Sequence, residues 1–322
     1  MTRQSASRAG SSLLERAAEI YDFSSGMLIA PPAAPELREP PGAPSRELVR
    51  EAVPQPAPQP AAPPQAARAP LQPQRPASPG HRATVDRDRL RAGGFILPDA
   101  PASGLAEELR IVKRQLLLAA AGKTGIAEEK RRRVLICSAQ PDEGKTFCAV
   151  NLALSLATER DLEVLLVDGD FPKPEILSLL GVESGPGLVD ALADPGADAE
   201  DFVIRTDVGG LSLLPAGRQA NNVPELLASE RTREVLAGLT ARNPRRIIIF
   251  DSPPALMASP ATVLASQVGQ ALVVVRADRT TEADLKEAIG LLSACDHVGL
   301  LLNRAGFAAS GRRFGSYYGQ EQ

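Results

Sequence analysis

The feature that most constrains the fold of this 322-residue chain is a series of six short apolar runs beyond residue 132. Apart from Ser212, no polar residue interrupts the runs, and segments with helical periodicity separate them. Such runs are typical of strands buried on both faces of a parallel sheet, with helices as the crossovers. We therefore predict an α/β fold with a doubly wound, mainly parallel sheet. The runs are 134–137, 164–167, 211–214, 247–250, 272–275 and 298–302.

A loop suited to binding phosphate follows the first run. Residues 139–146 read AQPDEGKT and lie between a predicted strand and a helix rich in Leu and Ala. In this setting the loop and helix N–H groups surround a phosphate, the Lys reaches the β- and γ-oxygens, and the Thr ligates Mg²⁺. We predict a P-loop that binds a nucleoside triphosphate. Its residues are Gln140, Pro141, Asp142, Glu143, Gly144, Lys145, Thr146 and Phe147.

Two residues depart from the usual P-loop pattern. Ala139 stands where the pattern has its first Gly, and Asp142 places a carboxylate in a loop that binds phosphate. Asp tolerates the left-handed conformation, which Gly adopts freely, at a cost of about 1 kcal/mol, and it adds a charge that repels phosphate. We therefore expect Asp142→Gly to tighten ATP binding.

Three aspartates follow two of the predicted strands. Asp168 and Asp170 follow the run 164–167, and Asp251 follows the run 247–250. Because the carboxyl ends of parallel strands meet at one edge of a sheet, we expect all three near the P-loop. Asp251 is then in the position of a carboxylate that orients Mg²⁺, directly or through water. One aspartate at a strand end is also common in turns, so the prediction depends on all three together.

The first part of the chain has a different composition. Sixteen of the 29 prolines lie in residues 31–80, where apolar residues are too few to offset the entropy of ordering. We predict a disordered linker over 31–84, stiffened by polyproline II conformation. Residues 1–30 contain a short helical pattern at 12–22, which is either a docking segment or a nascent helix. Ser103 is predicted to cap a helix that runs to about Ala121.

Charge and cysteine content exclude several classes of protein. The net charge is −3 and no domain is strongly basic, so nucleic-acid binding is not expected. We interpret the one dense cluster, 130–133, as a solvated sheet edge that blocks strand pairing, with lipid or partner contact as the alternative. Three scattered cysteines indicate neither a disulfide framework nor a zinc site. Cys148 is expected to pack in the core, the alternative being a thiol activated by the helix dipole.

No apolar run is long enough to span a bilayer, and the N-terminus has no signal-peptide pattern. The sequence thus predicts a cytoplasmic protein that reaches membranes only through a partner.

Taken together, these residues resemble the bacterial tyrosine kinases of exopolysaccharide synthesis. The resemblance covers about 85–305 and rests on residues 138–146, 168–174 and 251–254. Residues 83–113 look most like the exosortase-associated tyrosine autokinases. Partition and cell-division-site ATPases carry an additional Lys early in the P-loop, which this chain lacks. The resemblance implies a P-loop kinase domain over 85–305 and a flexible tail over 306–322.

The resemblance also implies roles for individual residues in ATP-dependent tyrosine phosphorylation. Lys145 would stabilise the migrating phosphoryl group, and Thr146 and Asp251 would hold Mg²⁺. Asp168 would be the base for the tyrosine hydroxyl and a further metal ligand, with Asp170 assisting. Other expected sites are the nucleotide-binding Arg276 and adenine-contacting Asn303, the phosphoacceptors Tyr317 and Tyr318, and the oligomer contacts Glu107, Arg110 and Lys113. A merely charged helix face is an equal alternative for the last three.

The expected partner is a membrane chain-length-determinant protein, a polysaccharide co-polymerase, with the kinase assembled as a homo-oligomeric ring. Autophosphorylation would regulate polysaccharide polymerisation or export. The alternative is a nucleotide-dependent assembly switch without kinase activity. Asp142, the Pro172 that replaces the family's Arg, and the small number of tail tyrosines favour that alternative.

Overall fold

The computed structural model describes residues 81–100, 103–122 and 124–305. Within these ranges eight strands form one sheet, in the order β1-β4-β5-β3-β6-β2-β7-β8. All neighbouring strands are parallel except β4 and β5, which confirms the predicted fold. The strands are β1 Arg82–Ala83, β2 Arg133–Ser138, β3 Glu163–Asp168, β4 Ile204–Thr206, β5 Leu211–Leu214, β6 Arg246–Asp251, β7 Gln270–Arg276 and β8 His297–Asn303. The predictions for residues 1–30 and 306–322, and for nearly all of the linker, lie outside the described residues.

Helices cover both faces of the sheet, so the central strands are buried on each side. In β2, Ile136 belongs to one apolar cluster and its neighbour Leu135 to the other. Ile249 and Phe250 alternate in the same way in β6. The helices are α1 Arg87–Ala92, α2 Gly104–Ala120, α3 Lys145–Ala157, α4 Ile176–Leu180, α5 Leu188–Ala193, α6 Val223–Ala228, α7 Glu230–Ala241, α8 Ser259–Ala265 and α9 Glu282–Leu291. None of these described helices is long and apolar enough to cross a bilayer.

The last strand departs from the prediction that every apolar run is buried on both faces. Leu300 and Leu302 of β8 are 56% and 60% exposed. Among the described strands β8 pairs only with β7, so it lies at the edge of the sheet. An apolar run alone does not distinguish an edge strand from a central one.

The basic cluster 130–133 does not form a solvated edge, and that prediction is wrong. Strand β2 begins at Arg133 and lies between β6 and β7, near the centre of the sheet. Arg133 is only 3% exposed. Its guanidinium donates to the Gln267 carbonyl at 3.2 Å, and that of Arg132 donates to the Pro244 carbonyl. Loop carbonyls at the amino ends of the strands thus accept hydrogen bonds from both cations.

The ordered N-terminal segment packs on the helix that follows the P-loop. Strand β1 falls inside the predicted linker 31–84 and pairs with β4, so the ordered sheet begins before residue 85. Further along, the Phe95 ring lies 5.0 Å from that of Phe147 in α3. The predicted helix after the linker is confirmed as α2, and the Ser103 hydroxyl accepts from the Ala106 N–H at 3.2 Å.

Candidate active site

The strand order brings the predicted aspartates and the P-loop to one edge of the sheet. Strand β6 lies between β2 and β3. Asp251, at the end of β6, is the register partner of Asp168 in β3 and of Ile136 in β2. The P-loop continues directly from β2. Residues more than 80 positions apart therefore meet because parallel strands end together.

The backbone between Asp168 and Asp170 fixes the spacing of the two strand ends. The Gly169 N–H donates to the Asp251 carbonyl at 2.8 Å. A Cβ atom at position 169 would lie 2.5 Å from that oxygen, closer than van der Waals contact allows. Glycine at this position therefore permits the close approach of the two strand ends.

The P-loop ends in a left-handed glycine that starts helix α3. Gly144 has φ of 93° and is the N-cap of the helix, which begins at Lys145. The first N–H groups of a helix have no partner within the helix and carry its positive dipole end. Asp142 also has positive φ, 62°. The loop thus has the backbone form of an anion site.

Lys145 lies among the predicted acidic residues. Its Nζ is 2.6 Å from Asp170 Oδ2 and 3.2 Å from Thr146 Oγ1. Burial alone would lower the pKa of Lys145, but the charges of Asp251 and Asp170 outweigh burial and raise it. Lys145 therefore remains a cation in a half-buried position, as a lysine that contacts phosphate must.

Asp168 and Asp251 are buried carboxylates with unpartnered oxygens. They are each 1% exposed. Asp168 Oδ2 accepts from the Ile176 N–H at 3.0 Å. Asp168 Oδ1 and both Asp251 oxygens have no hydrogen-bond partner among the described residues. Burial raises the pKa of both carboxyl groups to about 7. The Lys145 charge and the nearby Thr146 hydroxyl oppose this shift at Asp251.

These residues fit a magnesium–nucleotide complex. Buried carboxylate oxygens without protein partners cost stability unless a ligand satisfies them. No set of three or more His, Cys, Asp or Glu side chains within 81–100, 103–122 and 124–305 forms a metal cluster by itself. Mg²⁺ is usually held by one or two carboxylates together with phosphate oxygens and water. Thr146, Asp251 and Asp168 can supply the protein ligands.

The other side of the P-loop contacts the ends of β7 and β8 and the first turn of α9. The Asn303 side-chain amide donates to the Glu143 carbonyl at 2.9 Å, and Arg276 Nη1 lies 3.5 Å from the Asp142 carbonyl. The Gln140 side chain reaches Asp284 at 3.3 Å. The structure thus brings Arg276 and Asn303 to the P-loop, and Pro141 lies half-buried within it.

Two predicted site residues point away from the expected ligand. The Glu143 carboxylate faces inward, and one of its oxygens accepts from the Gln140 N–H at 2.9 Å. The Phe147 ring packs against Phe95, so its backbone N–H is the group left for phosphate. Sequence analysis missed Asn151, whose amide donates to the Phe147 carbonyl at 2.9 Å. A polar residue within an apolar helix was the available signal.

Glu107, Arg110 and Lys113 do not share one exposed surface. Glu107 and Arg110 form an ion pair with each other. Lys113 is 6% exposed, pairs with Glu159 at 2.7 Å and donates to the Ser155 carbonyl at 3.1 Å. This placement of Lys113 corrects the prediction, because its charge is satisfied within the chain and is not presented to a neighbour.

Two further predictions concern Cys148 and the tail. Cys148 is 6% exposed and burial raises the pKa of its thiol to about 12, which confirms core packing. Tyr317 and Tyr318 lie outside the described residues.

Known proteins resemble this chain in both sequence and fold. No protein-family model matches it. The tyrosine-protein kinase Etk of Escherichia coli is 32% identical over 191 residues, 59% of this chain and 25% of Etk. EpsB of Ralstonia solanacearum is 30% identical over 236 residues. That alignment covers 71% of this chain and 30% of EpsB. The chain therefore corresponds to less than a third of the length of these relatives.

Solved kinase domains resemble the fold over most of their length. The kinase domain of the Escherichia coli tyrosine kinase ETK superposes with a TM-score of 0.58 at 28% identity, covering 68% of this chain and 82% of that domain. The BceF tyrosine kinase domain gives 0.52 at 32% identity, covering 61% of this chain and 76% of that domain. Since these domains match in sequence and in fold, the chain belongs to the bacterial tyrosine kinase family.

Proposed function

We propose that this protein is an ATP-dependent tyrosine kinase that phosphorylates Tyr317 and Tyr318 of its own C-terminal tail. The observation that carries the proposal is the pair of buried carboxylates, Asp168 and Asp251, with unpartnered oxygens beside Lys145. Phosphoryl transfer needs positioned charges more than covalent help from the protein. The arrangement supplies one cation for the phosphate and two acids for metal and proton.

Each of these residues has a distinct task in the proposed reaction. Asp168 accepts the tyrosine hydroxyl proton, because its Oδ1 has no hydrogen-bond partner among the described residues. The tyrosine oxygen bonds to the γ-phosphorus while the bond to the β–γ bridging oxygen breaks, and ADP leaves. Lys145, positioned by Asp170, stabilises the charge on the migrating group. Mg²⁺, held by Thr146, Asp251 and Asp168, would neutralise charge on the phosphate oxygens.

The kinase is further proposed to act with a membrane co-polymerase in polysaccharide polymerisation or export, and to assemble as a ring in the cytoplasm. Within α2, Arg110 is exposed and is the residue proposed to contact a neighbouring subunit; its ion pair with Glu107 lies within the helix. Lys113, which pairs with Glu159 of the same chain, is not part of this proposed subunit contact.

The test is a phosphosite map of the purified protein after incubation with ATP and Mg²⁺, with and without the cytoplasmic segment of the partner. We expect phosphate on Tyr317 and Tyr318 in mass spectra, and its loss when both are replaced by Phe. Tyr21→Phe is the matched control, because Tyr21 is the chain's other tyrosine. Absence of phosphotyrosine at 317 and 318 in both conditions, with the fold intact, contradicts the proposal.

A second candidate function is a nucleotide-dependent assembly switch. The left-handed Asp142, with φ of 62° and a carboxylate in the phosphate loop, favours it. ATP-dependent assembly that persists in the variant with both tail tyrosines replaced, without any phosphotyrosine product, would support the switch. Sedimentation velocity with and without ATP measures this.

A further inference from the structure

A fully buried carboxylate joins the P-loop to the loop that follows β7. Glu143 is 0% exposed. Its Oε2 accepts from the Gln140 N–H at 2.9 Å, which closes the P-loop on itself. Its Oε1 accepts from the hydroxyl of Thr280, which is 137 positions away in the sequence. Both oxygens of this buried acid are therefore satisfied, one within the P-loop and one outside it.

The Thr280 hydroxyl is used both as a hydrogen-bond acceptor and as a donor. The oxygen accepts from the Arg276 N–H at 2.8 Å, and the hydroxyl proton is donated to Glu143. The Thr280 N–H also donates to the Arg276 carbonyl at 2.9 Å, which makes a tight turn at the end of β7. The turn thus holds the hydroxyl toward the P-loop. No sequence motif marks Thr280, which precedes the helix-capping Thr281.

We propose that Thr280 is a positioning residue for the P-loop, acting through Glu143 to hold the loop in its phosphate-binding form. This inference rests on the proposed function, because it takes Mg–ATP to be the ligand of the loop. Thr280 need not touch the nucleotide. It fixes the carboxylate that orients the Gln140 peptide, and so the direction of the loop N–H groups.

Removal of the Thr280 hydroxyl is expected to affect first the Glu143 carboxylate and then, through it, the backbone of the P-loop. A buried carboxylate oxygen left without a donor is costly, so Glu143 is expected to turn toward another partner. The Glu143 bond to the Gln140 N–H then changes as well. Binding groups held by supporting hydrogen bonds lose affinity when that support is removed.

The test compares Thr280→Val, which keeps the shape and removes the hydroxyl, with Thr280→Ser, which keeps the hydroxyl. Thr240→Val is the matched control, since the buried Thr240 hydroxyl bonds the Leu236 carbonyl at 3.0 Å within α7. Calorimetry gives the dissociation constant for Mg–ATP, and kinase assays give KM and kcat. We expect Thr280→Val to weaken binding about tenfold, with Thr280→Ser and Thr240→Val close to wild type. KM for ATP should rise by a similar factor, with kcat changed by less than about threefold.

Wild-type affinity in a folded Thr280→Val protein overturns the inference, even if its melting temperature falls. Equal weakening by Thr240→Val overturns it too, because general loosening would then explain the loss. Should Thr280→Val not fold, Thr280→Cys replaces it, since a thiol is a weak donor of similar size; wild-type affinity there is equally contrary. Failure of the wild-type protein to bind Mg–ATP is a different result, which removes the proposed function itself.

Discussion

The buried carboxylates at the strand ends and the buried carboxylate within the P-loop differ in their hydrogen bonding. Asp168 and Asp251, at the strand ends, have three oxygens without hydrogen-bond partners among the described residues. Glu143, within the P-loop, accepts hydrogen bonds at both carboxylate oxygens. Unsatisfied buried acids reduce stability, whereas satisfied ones add to it. The comparison indicates that the aspartates face a ligand and that Glu143 supports the loop. It predicts opposite effects on stability when each acid becomes an amide.

The largest expected effect is on catalysis at Asp168. Asp168→Asn removes the proposed base, and we expect the rate of tyrosine phosphorylation to fall by about 10²–10⁴. Initial rates of tyrosine phosphorylation with saturating Mg–ATP measure this fall.

Asp161→Asn is the control for this substitution, because Asp161 is an exposed aspartate just before the same strand. A rate for Asp168→Asn within a few-fold of that for Asp161→Asn would show that Asp168 is not the base.

Glu143→Gln should lower stability. The amide nitrogen cannot accept, so either the Gln140 N–H or the Thr280 hydroxyl loses a bond to a charged group worth about 1.5–3 kcal/mol. In a domain of this size that is a fall of about 3–10 °C in melting temperature. Thermal unfolding without nucleotide measures it, with the exposed Glu108→Gln as control. An unchanged melting temperature would contradict the inference that Glu143, unlike the two aspartates, adds to stability.

Asp251→Asn should have the opposite effect on stability. The folded-state pKa of about 7 exceeds the ordinary value of 3.8, so the folded protein binds this proton more tightly than the unfolded chain. The resulting loss of stability grows between about pH 4 and 7 and is complete above 7. We expect the variant to melt about 3 °C or more above wild type at pH 8, with a smaller gain at pH 5. Melting curves without Mg²⁺ test this, and a gain independent of pH would contradict it.

The smallest expected effect is at Asp142. Glycine removes a negative charge near phosphate, and it also adopts the observed φ of 62° without the penalty of about 1 kcal/mol that the ligand-free loop already pays. Asp142→Gly should therefore tighten Mg–ATP binding by about fivefold. Asp142→Ala keeps the backbone penalty and removes only the charge, so calorimetry on both variants separates the two causes. Unchanged or weaker binding by the glycine variant would mean that the carboxylate aids the loop.

Sequence analysis predicted the parts of the fold and site that local patterns encode. The apolar runs identified all the longer strands, and strand ends placed Asp168 and Asp251 by the P-loop. Strands β1 and β4 have only two and three residues, too few to give a pattern. The pairing of Thr280 with Glu143 follows from the sheet order, which no motif records.

Charged residues were predicted least well, because a charge pattern does not show what the side chain meets. Arg133 and Lys113 were expected at a solvated edge and at a subunit contact. Both are buried and donate to backbone carbonyls, with Glu159 adding an ion pair to Lys113. Long side chains can bury their stems and place their charge on groups distant in sequence.

The contact between Gly169 and Asp251 determines when the two acids of the site reach their final separation. The Gly169 N–H and the Asp251 carbonyl join the two strand ends through main-chain atoms, 2.8 Å apart. The separation of the two carboxylates is consequently set when the sheet forms, before any substrate arrives. Substrate binding then does not have to bring these two acids together, so the reorganisation that remains is confined to protons, side-chain rotations and the ligand itself.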